Sequence, residues 1–327
     1  MMARFLTAVL FMALAGCAST ASFVQPPQRA RSATGPVSSS VPALSATRTL
    51  NQPVGAAWME PDSKSKRLLY ISDVFGNVVY VFNYPKLTPA GVLTGFSQPE
   101  GLCTDQQGDV WVTSTLDSQL IEYAHGAKTP KQTLKDPNQA PADCSVDPKS
   151  GDLAVTNIID NEGGPGSVSI YKNAAGKPKI YGDAAFSREF YLSYDDHGTI
   201  WVDGQDSNGA FVYASFAHGT FTNVTLRGGV INDAGGVAFV DGHVTVGDQQ
   251  GAGGYSIVYQ TSGSTITGST PLLESSDVAE YLIVNGEVLA VDALSESLGF
   301  WPYPVGGTEL RAFTYKWNVP LGIALSE

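Results

Sequence analysis

Pro99-Glu100-Gly101-Leu102-Cys103-Thr104-Asp105-Gln106-Gln107-Gly108-Asp109-Val110-Trp111-Val112 is the stretch that decides the fold, because both of its halves recur. The second half, Gly-x-(Val/Ile/Leu)-x-Val, returns at Gly151–Val155, Gly198–Val202 and Gly242–Val246, with a weaker copy at Gly286–Ala290 and another around Leu69-Tyr70-Ile71. The central residues Tyr70, Trp111, Ala154, Trp201, Thr245 and Leu289 lie 41, 43, 47, 44 and 44 positions apart. A period of about 40 to 45 residues marks a blade repeated around an axis. The first half, Pro-x-Gly-x-x-x-Asp, returns at Pro141–Asp147 and in degenerate form at Phe190–Asp195 and Gly235–Phe239.

Each unit holds four short β-rich runs separated by Gly, Asn, Asp and Pro, and the third run ends in an aromatic: Phe82, Tyr123, Tyr171, Tyr213, Tyr259 and Trp301. That is the strand-and-turn pattern of an antiparallel sheet. Sheets packed radially bury both faces, so their inner runs read as continuous apolar stretches rather than strict alternation. An open β-sandwich does not keep a repeat of this length. The fold class is therefore all-β, a β-propeller of six four-stranded blades. Arg48–Gly55 parallels Thr314–Gly322, so seven junctions bracket six units. The surplus fits a ring closed by terminal strands sharing a blade, and it leaves seven blades as the alternative count.

The 327 residues carry a formal net charge of −12, which argues against nucleic-acid binding and offers no cationic patch for anionic lipid. Arg4 followed by the short apolar run Phe5–Ala13 reads as a targeting segment, too short for a mature membrane span. Leu14-Ala15-Gly16-Cys17 resembles the bacterial lipobox, which implies cleavage after residue 16 and lipidation of Cys17. Ala18 after the cysteine implies the outer membrane where the host has one. The organisation is then signal peptide 1–16, lipidated Cys17 with an Ala/Ser/Pro-rich tether over 17–45, and propeller over 46–327. The expected product is a monomer in the cell envelope, outside the cytoplasm, held by its lipid anchor. Cys103 and Cys144 lie one repeat apart in a compartment that permits a disulfide. Their different offsets from the junction motif put them on opposite strand faces, which favours two buried free thiols over a bond.

In a propeller the fourth-to-first and second-to-third connections share the face where the axial channel opens. The acidic and amide residues assigned to that face include Glu100 and Asp143 from the junctions, and Asn157, Asp203, Asp248 and Asp292 from the loops. Asp, Asn and Gly also fill such loops because they make tight turns. Oxygen ligands converging on an axis suit Ca²⁺ or another divalent cation, with Glu100, Asn157 and Asp203 as the metal set. Phe75, Phe190, Tyr191 and Tyr281 are aromatics near the same face. The four histidines fall in turns without ligand spacing, and neither a Gly-x-Ser-x-Gly elbow nor a phosphate loop occurs.

Pro99–Val112 resembles NHL-repeat proteins and the gluconolactonase/regucalcin-like superfamily, and the repeat covers about residues 47–327. The resemblance implies a propeller and, for the lactonases, an axial divalent metal that polarises an ester carbonyl and activates water. Glu100 matches a ligand position of that family; the equivalent Val54, Ala142, Phe190, Gly235, Ala279 and Leu321 do not carry ligand atoms. Two function classes follow. The favoured one is a membrane-anchored binding module with a protein, peptide or glycan partner at the channel mouth. The alternative is a divalent-metal-dependent lactonase or hydrolase.

Overall fold

The computed structural model describes residues 55–327. Cys17, the signal segment, the tether and the junction residues up to Val54 lie outside the described residues.

Six sheets make the ring, one per sequence repeat. From the axis outward, blade 2 is β5 (Pro99–Thr104), β6 (Val110–Ser114), β7 (Gln119–Tyr123) and β8 (Gln132–Lys135). Blade 3 is β9 (Gln139–Val146), β10 (Leu153–Asp160), β11 (Ser167–Tyr171) and β12 (Lys179–Tyr181). Blade 4 is β13 (Arg188–Tyr194), β14 (Ile200–Gln205), β15 (Phe211–Ala217) and β16 (Thr220–Asn223). Blade 5 is β17 (Ala234–Val240), β18 (His243–Asp248), β19 (Ser256–Ser262) and β20 (Thr265–Leu273), extended at its outer edge by β24 (Gly307–Thr308). Blade 6 is β21 (Val278–Val284), β22 (Glu287–Asp292), β23 (Ser297–Pro302) and β25 (Arg311–Thr314).

Blade 1 closes the ring. Its inner strand is the C-terminal β26 (Pro320–Ser326), which pairs with β2 (Leu68–Asp73); β3 (Val78–Asn83) and β4 (Thr88–Thr94) follow outward. Six blades with a terminal strand completing a shared blade is the arrangement read from the sequence. The N-terminal half of that reading needs correction. The first described strand, β1 (Trp58–Met59), lies on the outer edge against β4, because β26 already occupies the inner position. Ser326 locks the closure: its hydroxyl donates to Gly108 O of blade 2 and meets His125 Nδ1 at 2.5 Å.

The core is six wedges between blades. Along β2, Leu68 and Tyr70 enter the wedge shared with blade 2, beside Val110, Val112 and Tyr123. The alternate residues Leu69 and Ile71 enter the wedge shared with blade 6, beside Leu289, Phe300 and Trp317. Period-two alternation thus feeds two cores at once, which is why the run is apolar throughout. Burying one such large side chain stabilises by about 1.5–3 kcal/mol.

Every inner strand breaks register at the same level, one to three residues after it starts. The breaks fall at Leu321-Gly322, Glu100-Gly101, Ala142, Phe190-Tyr191, Gly236 and Ala279-Glu280. A bulge of this kind bends the strand and re-aims its side chains. Repeated six times, it forms a collar at the channel mouth. Gly101 stands where a Cβ would lie 2.5 Å from Ala142 O, so the backbones of blades 2 and 3 meet there only because the residue has no side chain.

Cys103 and Cys144 form a disulfide with Cα atoms 5.6 Å apart. This overturns the expectation of two free thiols. The two residues do sit on opposite strand faces, but β5 and β9 belong to neighbouring blades, and opposite faces of neighbouring blades look at each other.

Candidate functional site at the channel mouth

Three sets of polar side chains are built on the collar. The first stitches neighbouring blades. Ser72 accepts from Gly322 N (2.7 Å) and donates to Glu100 O (2.6 Å). Thr113 lies between Gly101 O (3.2 Å) and Ala142 O (3.0 Å). Thr156 accepts from Asp143 N (3.1 Å) and donates to Phe190 O (2.7 Å). The equivalent residue of blade 4 is Asp203. Its Oδ1 accepts from Tyr191 N (3.2 Å), as the hydroxyls accept in blades 1 and 3, but its Oδ2 has no partner although the residue is 0% exposed.

The second set is a clasp across the axis. Glu280 accepts from Ile323 N (3.0 Å) of blade 1 and from the Leu102 amide of blade 2, and its carboxyl lies in the field of Asp143 from blade 3. Asp143 in turn accepts from Cys144 N (2.7 Å) and from Leu192 N (3.0 Å) of blade 4. Two buried carboxyls in each other's field resist ionising together, which pushes their titration upward. Burial pushes Asp143 up to about 7 against the pull of its amide donors. Burial, then the neighbouring Asp143, raises Glu280 as well.

Tyr191 holds in blade 4 the collar position that Asp143 and Glu280 hold in blades 3 and 6. Burial raises the Tyr191 phenol well above its usual range, and the surrounding Glu280, Asp203, Asp277 and Glu100 push in the same direction. Its hydroxyl accepts from Gln249 Nε2 at 3.3 Å. Burial pushes Glu100 up to about 8, opposed by a hydrogen bond from Thr115. Asp277 is pushed up to about 7 by burial, then by Asp292 and Asp233. Asp233 is pushed up to about 6 by burial and then by Asp248. Asp203 is raised by burial, with Asp143 and Asp233 adding to the shift. No ion pair among the described residues involves any of these acids. A buried carboxyl without a counter-ion takes up a proton or waits for a cation.

The other expected site residues have different employment. Asp248 and Asp292 tie the end of the second strand to the junction before the first. Asp248 Oδ1 accepts from Asp233 N (3.1 Å) and Gln250 N (3.1 Å). Asp292 accepts from Ser276 N (2.6 Å) and Ser295 N (3.0 Å). Asp73 does the same for Asn318 N (2.8 Å) and Val319 N (3.1 Å). Asn157 occupies the matching position of blade 3, and its amide donates to Ser167 Oγ (3.1 Å) and Ser169 Oγ (3.0 Å). Ser169 passes the chain on to Asp136 Oδ1 (2.8 Å) and Ser167 to Gln139 Oε1 (2.7 Å). Glu100 and Asp203 both act on Tyr191, whereas Asn157 Nδ2 serves Ser167 and Ser169 and its Oδ1, like Asp203 Oδ2, is buried without a partner.

Sequence reading placed Tyr191 near this face without assigning it to a site, and it did not single out Asp277. The signal for Asp277 was its position: it precedes β21 as Asp233 precedes β17. Among the described residues, one group of three acids brings ligand atoms within 4.8 Å of one another: Asp105, Asp109 and Glu122, away from the mouth. Lys131 already fills it, with Nζ 2.5 Å from Asp109 Oδ2 and 2.8 Å from Glu122 Oε1.

The fold is similar to known propeller structures. A chain of the nidogen/laminin complex superposes with a TM-score of 0.66 at 10% identity, covering 80% of this chain and 98% of that one. A Bacteroides caccae protein of unknown function gives 0.61 at 11% identity, covering 80% and 99%. Likeness at this identity establishes the six-bladed fold alone. No protein-family model matches the sequence, and no curated protein matches it.

Proposed function

We propose that the protein is an envelope-anchored binding module that works through the mouth of its channel, with a ligand that carries positive charge. The observation that carries this reading is the set Glu100, Asp203 and Asp277, which acts on Tyr191 from three blades without a basic partner among the described residues. Anchoring through a lipidated Cys17 rests on the lipobox and places this face on a tether outside the cytoplasm. A catalytic apparatus is not needed: Asp143 and Glu280 are committed to amide groups of the collar, and Asp248 and Asp292 to loop ends.

The test is thermal unfolding with millimolar Ca²⁺ and, separately, with a lysine-rich peptide. The reading expects at least one of them to raise the midpoint of the wild type and not that of a Glu100→Gln/Asp203→Asn double variant. Identical behaviour of the two proteins with both ligands would exclude the mouth as the binding site.

The metal-dependent hydrolase remains the second reading. It is supported by Glu100 and Asp203 facing the same phenol, and by the resemblance of Pro99–Val112 to the gluconolactonase-like pattern. Elemental analysis of the purified protein separates the two. One tightly held divalent ion per chain, lost on Glu100→Ala, favours the hydrolase and calls for an ester and lactone screen.

A further inference from the structure

Opposite the bulge, blades 1 to 3 carry a hydroxyl and blades 5 and 6 carry Gly247 and Val291, so blade 4 is the one blade with a carboxylate there. In blades 1, 2 and 3 the residue opposite the bulge is Ser72, Thr113 or Thr156, and each hydroxyl donates to a carbonyl of the next blade. Asp203 keeps the accepting half of that role through Oδ1 and lacks the donating half. A donor has been replaced by an acceptor, and the extra acceptor, Oδ2, is fully buried and unpartnered. A threonine performs the full role one blade earlier, at Thr156, so the ring can be stitched without this carboxylate. The substitution creates a demand for a hydrogen-bond donor from outside.

Three further observations define that donor. Among the described residues, the acids of the mouth do not form a group of three whose ligand atoms lie within 4.8 Å of one another, as a site built for a bare ion would. The group that does meet this criterion is filled by an ammonium, that of Lys131, lying between two carboxylates. Last, the mouth-face loops carry exposed apolar side chains around the acids: Val230 (72% exposed) before β17, Leu294 (59%) after β22 and Leu116 (40%) after β6. A small hard ion has no use for such a rim, whereas a protein surface does.

We infer that the mouth receives an ammonium or guanidinium group presented by a protein or peptide, hydrogen-bonded to Asp203 Oδ2 with Glu100 and Asp277 as the surrounding charge and the Tyr191 ring as an aromatic wall. This rests on the binding reading above and narrows it to one partner class: a lysine, an arginine or a chain amino terminus flanked by apolar residues. The charge is complementary to the acids, and the Tyr191 ring adds the attraction of a π face for a cation.

The experiment is isothermal titration of the full chain with a short peptide carrying one lysine between leucines, with its Nε-acetylated counterpart, and with Ca²⁺. The expected result is binding of the lysine peptide, at least tenfold weaker binding of the acetylated one, and a similar loss for Asp203→Asn. Asp203→Thr is the decisive variant. It restores the stitch seen at Thr113 and Thr156, so it should melt no lower than the wild type and yet lose the peptide. Glu287→Gln, on the outer surface, should bind as the wild type does. Equal binding of the acetylated peptide, or undiminished binding by Asp203→Thr, overturns the inference. Ca²⁺ binding that Asp203→Thr abolishes, without peptide binding, overturns the inference and leaves the mouth as a cation site. No binding of any probe removes both readings.

Discussion

The buried carboxyls of Glu280 and Asp143, on blades 6 and 3, act on each other across the propeller axis, and between them they collect main-chain amides of blades 1, 2, 3 and 4. With Glu280 itself on blade 6, one pair of carboxyls touches five of the six blades. Gly322 and Gly101 hold the matching collar positions of blades 1 and 2, leaving no Cβ there. Acidic residues at the centre of the ring are thus structural cement as well as part of the mouth.

Glu280→Ala should therefore destabilise the ring. It leaves the Ile323 and Leu102 amides buried without acceptors, at about 1–3 kcal/mol for each unsatisfied group. Urea unfolding should show a midpoint shift corresponding to about 2–6 kcal/mol. Asp143→Ala should cost a similar amount through Leu192 and Cys144. A loss under 1 kcal/mol in both variants would mean that the clasp contributes nothing.

Stability and binding should respond to pH with opposite signs. Glu100 and Glu189 are pushed up to about 8, Asp143 and Asp277 to about 7, and Asp136 and Asp233 to about 6. Burial is the main cause in each case, and the unfolded chain titrates these groups near 4. The native state therefore binds more protons than the unfolded state between about pH 4 and 8, so stability falls as pH rises through that window. The thermal midpoint should be higher at pH 5 than at pH 8. Affinity for an ammonium ligand should move the other way, rising towards pH 8 as the mouth acids ionise.

Reducing the Cys103–Cys144 bond should loosen the ring without dissolving it. The bond spans a separation of 41 residues. A loop of this size corresponds to about 4 kcal/mol in the chain-entropy account. A Cys103→Ser/Cys144→Ser variant should unfold at lower denaturant than the oxidised wild type and match the wild type in reductant. Insensitivity of the wild type to reductant would contradict a formed disulfide.

Closure by β26 makes the last residues indispensable. A chain ending at Asn318 would leave β2 without its inner partner and remove the Ser326 contacts to Gly108 and His125. The open edge of β2 would then invite aggregation. Circular dichroism and limited proteolysis should show loss of the cooperative transition. Replacing Trp58 and Met59, on the outer edge, should cost far less.

Much of this architecture was legible because repetition is. The Gly-x-Val-x-Val copies located the second strand of every blade, and the paired ends announced a shared blade. Periodicity alone did not say which terminus takes the inner position, since both ends carry the same junction motif. The disulfide was misjudged because face alternation was read within one sheet, whereas Cys103 and Cys144 meet across two. The site was legible as a face and not as a constellation. Glu100 and Asp203 were on that face by strand order, but bulges decide that Glu280 and Asp143 turn inward and that Asp248 and Asp292 serve as loop ties. A bulge of one residue has no sequence mark of its own here, except where Gly101, Gly236 or Gly322 exposes it.

The most direct test of the central claim is a crystal structure of the protein with the lysine-bearing peptide. The account expects the lysine nitrogen within hydrogen-bond distance of Asp203 Oδ2, beside Tyr191, with the flanking apolar residues against Leu294 or Val230. A peptide bound on any other face, or a coordinated metal ion in its place at Glu100 and Asp203, would contradict it.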